Sequence, residues 1–437
     1  MKLQSRSRSN AQRFLRAELI RHGALVFAAT TLVNVFNYVF HFAISRKLGV
    51  VGYGTLSSLI AGLTIVSVPA SVLNIIVVKF AAEFHAVADH AKLRRLSTYV
   101  IRLSLTMSTF VLGVGLLLRS SVAAYLKVPN DASIIFALIV ICLNLVLPGA
   151  RGILQGTQDF KRYAMSAGLE AVSKATLGIG LVYLGFGALG AIVGYVCGTC
   201  ISLLYTVAVM GIHFSSEKVR LSVDFRRLVA TSAGVALATL GLTLLAFMDV
   251  VLVKHFFSPK VAGIYSALSL TGKMLLFVVG FIPTVVLPKA ASQASLKASS
   301  TLLLKFAGLG TLAISGCGLL SFYCFPALAI RVVAGAAFLQ ASQYVFQYGV
   351  IMTVVGAIGL VTTYKIGLHR FDFLAPLLIA VVAEIVAISF VHRTIWDVMN
   401  ILLLGHCAAL VGSLYKITRL APITHAVAGA HPVSAHG

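Results

Sequence analysis

The chain has 437 residues, of which 59% are hydrophobic and only 11% charged, and its mean hydropathy is +0.98. A soluble domain is roughly 45–50% apolar and roughly 25% charged, so polar surface is too scarce here to cover a water-facing globule. That excludes a soluble enzyme, a disordered chain and a fibrous one, and leaves a chain solvated mostly by lipid. The balance of 35 Lys and Arg against 12 Asp and Glu gives +23. The bases come in small clusters between long apolar runs, a pattern that fits membrane flanks and anionic head groups and argues against nucleic acid as a partner.

Taken in chain order, residues 1–21 form a basic, Ser-rich segment, expected on anionic lipid or unstructured. Runs long enough to cross a bilayer, about 20 residues each, then follow at 22–45, 55–78, 98–118, 132–154, 164–184 and 187–213. A basic linker covers 214–227. Six more runs lie at 228–253, 261–287, 302–325, 343–364, 373–392 and 397–415, and a small-residue, His-containing tail closes the chain at 416–437. The first run is about twice the length of a signal-peptide h-region and lacks a clear cleavage site. Backbone amides cannot stay unpaired in hydrocarbon, and the short alternating strands of a barrel are missing, so the runs predict helices. The expected fold is all-α: about 12 transmembrane helices in two six-helix lobes, 22–213 and 228–415.

With both termini placed in the cytoplasm, 24 Lys and Arg fall on the cytoplasmic side and 8 outside, namely Arg46, Lys47, Arg119, Lys127, Lys254, Lys260, Arg331 and Arg393. The bias keeps its sense at every pair of loops, which supports both the helix count and the orientation.

The two halves resemble each other. Gly52-Tyr53-Gly54-Thr55-Leu56-Ser57-Ser58-Leu59 followed by Pro69 and Lys79 is matched by Gly263-Ile264-Tyr265-Ser266-Ala267-Leu268-Ser269-Leu270 followed by Pro283 and Lys289. The spacing of six helices gives repeats of the same orientation, related by an axis along the membrane normal, with a proline in matching helices. This is a transporter architecture.

Ionisable residues at bilayer depth are costly and mark function or structural pairing. Glu170 and Lys174 lie one turn apart on the fifth run, Asp249 toward the outer end of the seventh, Lys273 within the eighth and Glu384 within the eleventh. For Glu170 and Lys174 a structural ion pair and a substrate role both stay open. Glu384 has no partner nearby in sequence. Thr30, Asn34, Asn37 and His41 fall on one face of the first run, and Arg46 and Lys47 cap its outer end. That stripe faces either neighbouring helices or a wet cavity. His41 has no second ligand at metal spacing, and Cys197-Gly-Thr-Cys200 sits beside Gly190, Gly194 and Gly198, a close-packing pattern rather than a redox pair. No phosphate loop, paired loop carboxylates or nucleophile elbow is present, so neither catalysis nor a cofactor or metal is expected.

Three segments resemble a known family. Ala43-Ile44-Ser45-Arg46-Lys47-Leu48-Gly49-Val50-Val51-Gly52-Tyr53-Gly54, then Gly152-Ile153-Leu154-Gln155-Gly156 with Phe160 and Arg162, then Asp249 with Val261-Ala262-Gly263-Ile264-Tyr265, are similar in order and spacing to the polysaccharide-export flippases. These are the Wzx-type members of the multidrug/oligosaccharidyl-lipid/polysaccharide (MOP) exporter superfamily. The resemblance implies a V-shaped pair of bundles in the inner (cytoplasmic) membrane. It implies alternating access and a polyprenyl-pyrophosphate-linked oligosaccharide as cargo. A polysaccharide polymerase and glycosyltransferases of the same pathway are the implied partners. On that reading Lys174, Lys273 and Arg46 meet the pyrophosphate, Asn34, Asn37 and His41 meet the sugars, and Asp249, Glu384 or Glu170 serves ion coupling or pairing. The rival readings are a cation-coupled multidrug exporter, a lipid II flippase, and a membrane polymerase or glycosyltransferase.

Overall fold

The computed structural model describes residues 2–129, 131–210, 225–283, 286–287, 290 and 301–415. Among these residues there is no strand. The helices are α1 (Lys2–Val66), α2 (Val68–Ala86), α3 (His90–Tyr125), α4 (Asp131–Gly156), α5 (Phe160–Leu181), α6 (Gly187–Met210), α7 (Phe225–Phe256), α8 (Pro259–Val279), α9 (Thr301–Cys324), α10 (Pro326–Val333), α11 (Ser342–Gly367), α12 (Leu374–Phe390) and α13 (Ile395–Leu414). Residues 2–21 of the basic head are helical and run on into α1. Its Leu, Arg, Gln and Ala are good helix formers. Most of the linker and the whole tail lie outside the described residues.

Ten stretches are long and apolar enough to cross a membrane, and Leu374–Phe390 is a shorter apolar helix. Two of the ten hold a reversal of the chain. Within α1, Gly49 has φ 65° and ψ −172°. The Tyr53 hydroxyl lies 3.1 Å from His41 Nδ1, whereas twelve residues of unbroken helix would separate them by about 18 Å. Positive φ is cheap only for glycine, so Gly49 is where the first crossing ends and the second begins. Between α5 and α6, Gly185 and Gly187 both take positive φ around a π-helical turn, Val182–Phe186. Dividing the chain at these points, counting Leu374–Phe390, and taking the end of α1 together with α2 as one interrupted crossing gives the twelve expected crossings.

The repeat is visible in the breaks. The second crossing is interrupted at Ser67, with Pro69 in the first turn of α2, and α8 ends at Gly280, just before Pro283. A proline lacks the N–H that would continue the ladder, so the matched prolines explain matched interruptions. Within the first lobe two loops are also built alike: Ala88 and Gln158 take positive φ, and the next residues, Asp89 and Asp159, cap α3 and α5 by accepting from the Lys92 and Arg162 amides at 2.9 and 3.1 Å.

The apolar core defines two lobes joined at one end. Phe40, Ile44, Tyr53 and Leu56 of α1 share a buried cluster with Val253 of α7, Leu268 of α8 and Phe338. Away from that end each lobe keeps its own cluster: Val77, Leu96, Val100 and Ile153 in the first half, and Val279, Leu360 and Tyr364, or Ala238, Phe373 and Leu377, in the second. The lobes therefore meet at the end bearing Arg46, Lys127 and Lys254 and keep separate cores at the other.

Closest approach at that junction needs glycine. A Cβ on Gly54 would stand 2.8 Å from the Gly263 Cα, so one glycine from the turn of each repeat packs backbone against backbone. Within the first lobe, a Cβ on Gly198 would stand 2.8 Å from the Lys174 amide nitrogen. The small-residue stripe of α6 thus packs on α5, and Cys197 and Cys200 are free thiols.

Candidate functional site

The polar stripe of α1 runs down an edge shared by its own lobe and the other. Tyr38, one turn from Asn34, donates to the Val332 carbonyl of the second lobe at 3.4 Å. Asn34 is exposed. On the neighbouring positions, Asn37 Oδ1 accepts from Lys174 Nζ of α5, and His41 pairs with Tyr53.

Lys174 is 7% exposed. Its ammonium stands 4.5 Å from the centre of the Tyr195 ring and 5.8 Å from that of Phe40. No carboxylate comes within ion-pair distance of it among the described residues. An amide oxygen and two aromatic faces orient the cation but leave its charge uncompensated. The local fold explains why it is there: the glycines of α6 let α5 approach closely, and Tyr195 of α6 then lies against the ammonium.

Glu170 does not pair with Lys174. It closes a 2.7 Å ion pair with Arg151, which lies near the end of the fourth run, 132–154, and inside α4. Arg151 also donates to Ser166 and Ser202 at 2.9 and 2.8 Å, and Ser166 bonds Thr206 at 2.8 Å. This network ties α4, α5 and α6 together.

The second lobe holds a different arrangement. Asp249 of α7 is 2% exposed. Its Oδ2 accepts from the Tyr265 and Tyr348 hydroxyls at 2.9 and 2.6 Å. Oδ1 faces Lys273 Nζ at 3.9 Å without a hydrogen bond, and the same ammonium stands 4.3 Å from the Phe247 ring centre. Lys273 therefore has its counter-ion, and Lys174 has none among the described residues. Glu384 of α12 lies 2.9 Å from His406 Nδ1 of α13, and His406 Nε2 donates to the Leu245 carbonyl of α7 at 3.2 Å. A small cavity walled by Leu244, Met248, Val381 and Leu402 separates Asp249 from Glu384. The His406 partner escaped the sequence reading because it sits on another helix in an apolar run, and a lone His there carries no spacing signal.

Arg46 lies away from this group, nine residues from Asn37, or about 13 Å along the helix. Its guanidinium reaches the second lobe. It donates to the Arg331 and Val332 carbonyls at 2.9 and 3.1 Å and covers the Phe42 ring at 3.6 Å. The six candidate residues thus divide between three places. Asn34, Asn37, His41 and Lys174 line one edge of the first lobe. Lys273 belongs to a buried pair in the second, and Arg46 sits at the junction.

The family described as polysaccharide biosynthesis protein matches residues 19–294. No curated protein sequence matches the chain. Among solved structures, an inward-facing multidrug resistance MATE family transporter of the MOP superfamily superposes with TM-score 0.77 at 13% identity, covering 89% of this chain and 94% of that one. An outward-facing MATE transporter gives 0.64 at 13% identity, covering 92% and 94%. A MOP superfamily transporter from Pyrococcus furiosus, described as having a binding pocket of reverse polarity that suggests a different function, gives 0.58 at 14%, covering 92% and 94%. The chain is a multi-pass membrane protein with the two-lobed fold of the MOP superfamily, and it belongs to the polysaccharide biosynthesis protein family.

Proposed function

We propose that the protein flips a polyprenyl-pyrophosphate-linked oligosaccharide from the cytoplasmic to the outer leaflet of the inner membrane by alternating access. The observation that carries this reading is Lys174: a buried ammonium without a carboxylate among the described residues, beside a polar stripe on the lobe edge. An uncompensated charge at bilayer depth faces a Born term of order 20 kcal/mol. A cation held ready there favours an anionic cargo and repels the cationic drugs of the rival exporter reading. The pyrophosphate meets Lys174. Asn34, Asn37 and His41 offer hydrogen bonds to sugar hydroxyls, while the lipid tail stays in the bilayer between the lobes.

The termini are assigned to the cytoplasm from the distribution of Lys and Arg. The junction bearing Arg46 is then the outer end, and the conformation is the inward-facing one, in line with the better superposition on an inward-facing transporter. Moving two negative charges outward through 100 mV, inside negative, releases about 4.6 kcal/mol, so the membrane potential alone favours export. Asp249 and Glu384, on either side of their small cavity, are the groups assigned to any ion coupling. The chain transports rather than transforms its cargo. Anionic lipids, and the glycosyltransferases and polymerase that make and use the glycolipid, are its partners.

Deletion of the gene followed by lipid extraction tests this reading: a glycolipid carrying pyrophosphate accumulates on the inner leaflet, and the full-length chain relieves it. The Lys174→Ala variant, inserted at normal level, fails to relieve it. Unchanged glycolipid distribution after deletion rules the reading out.

A further inference from the structure

The three basic residues at the outer junction satisfy themselves on neutral atoms of the opposite lobe. Arg46, from the first lobe, donates to carbonyls at the C-terminus of α10, Arg331 O at 2.9 Å and Val332 O at 3.1 Å. Lys127, also from the first lobe, donates to Phe257 O, just past the C-terminus of α7, at 3.0 Å. Lys254, from the second lobe, is 2% exposed and bonds Thr55 Oγ1 of the first at 3.0 Å. None of the three has a carboxylate within 4.0 Å among the described residues.

The two helix-end contacts make sense as caps, since the last carbonyls of a helix lack partners and carry partial negative charge. Lys254 does not fit that account. A buried ammonium with one hydroxyl partner and no counter-ion among the described residues is destabilising in the closed state, and one neutral hydroxyl does not call for a full charge. The charge is explained if the closed junction is only one of its two environments. When the lobes part on this side, all three cations lose their acceptors on the other lobe together, Arg46 keeping only the Phe42 carbonyl of its own helix, at the mouth through which an anionic head leaves.

We propose that Arg46, Lys127 and Lys254 form a second, state-dependent anion site: engaged as a latch on the opposite lobe while the outer junction is closed, and released to the phosphate oxygens of the departing cargo when it opens. This rests on the flippase reading given above and deepens it. A ligand shifts a conformational equilibrium only through its different affinity for the two states. These donors are occupied in the closed state and free in the open one, so an anion bound to them favours opening. The cargo's own charge thereby releases the latch that holds it in.

The test uses the full chain in zwitterionic nanodiscs, with spin labels on Ser121→Cys and Gln340→Cys, one exposed position per lobe, after replacement of the six native cysteines. Inorganic pyrophosphate is the probe, and the distance between labels is the readout. Titration moves the population toward the longer distance. In Arg46→Gln/Lys127→Gln/Lys254→Gln, which keeps amide donors for the latch but removes the charge, the short distance persists and pyrophosphate no longer shifts it. Should the triple variant not fold, Lys127→Gln alone, at an exposed position, raises the half-maximal pyrophosphate concentration about tenfold, the effect of about 1.4 kcal/mol. An equal response in wild type and charge-free variants, or none in wild type, overturns the site. Opening by phosphatidylglycerol alone, with nothing added by pyrophosphate, overturns its assignment to cargo and gives it to leaflet lipid. No glycolipid enters this measurement, so a failed flippase assay and a failed latch are read separately.

Discussion

Glu170 closes a 2.7 Å ion pair with Arg151 of α4 and leaves Lys174, one turn away on its own helix, to Asn37. Two residues that look like one pair in sequence therefore do different things. The first holds three helices together, and the second is a cation at the lobe edge with no carboxylate partner among the described residues. Arg151→Ala is expected to lower the thermal stability of the purified protein by removing one partner of a charge-assisted network, at about 1.5–3 kcal/mol, and Glu170→Gln by less. Lys174→Ala is expected to leave the melting temperature within a few degrees of wild type while abolishing glycolipid flipping. Equal destabilisation by all three, measured by thermal unfolding in detergent, would show that Lys174 is structural as well.

Asp249 and Lys273 answer a different question. The carboxylate accepts from Tyr265 and Tyr348 and lies near the Lys273 ammonium, all of them buried. Removing one partner of a buried pair strands the other charge, whereas replacing both can be close to neutral. Lys273→Met alone and Asp249→Asn alone are each expected to reduce the yield of folded protein. The double variant is expected to recover most of it. If the pair also serves transport, the recovered double variant still fails to flip. A double variant no more stable than either single one contradicts the pairing.

Much of this was legible before the fold was known, and the gaps have a common cause. Long apolar runs fix where helices lie, because unpaired amides are not tolerated in lipid, and every expected crossing within the described residues has its helix. Matched glycine and proline positions exposed the repeat. Partners were not legible. Arg151, near the end of the fourth run, carries no sign in sequence that it pairs with Glu170 of the fifth, and Glu384 lacks a sequence-local partner because His406 belongs to the next helix. Lys254 was counted with the exposed outer bases, yet it is buried at the junction. Hydropathy reports the solvent of a segment, while pairing depends on which helices meet and at what rotation, which one sequence does not state.

The junction glycines give the sharpest steric prediction. Gly54 and Gly263 come from equivalent stretches of the two repeats and meet without room for a side chain; a Cβ on Gly54 would lie 2.8 Å from Gly263 Cα and 2.9 Å from its nitrogen. The obstacle is backbone on both sides, so no rotamer change relieves it. Gly54→Val is therefore expected to insert normally but to keep the second and eighth crossings apart, because each lobe packs on its own core away from the junction. Distances between labels at the Arg46 end would lengthen in the absence of any ligand, and flipping would stop because one of the two alternating states is lost. Adding Arg46→Gln to Gly54→Val would change the distance no further, since the contacts that Arg46 makes with the Arg331 and Val332 carbonyls are already broken in the parted junction. A Gly54→Val protein whose label distances match wild type would mean that the repeats do not close on this contact.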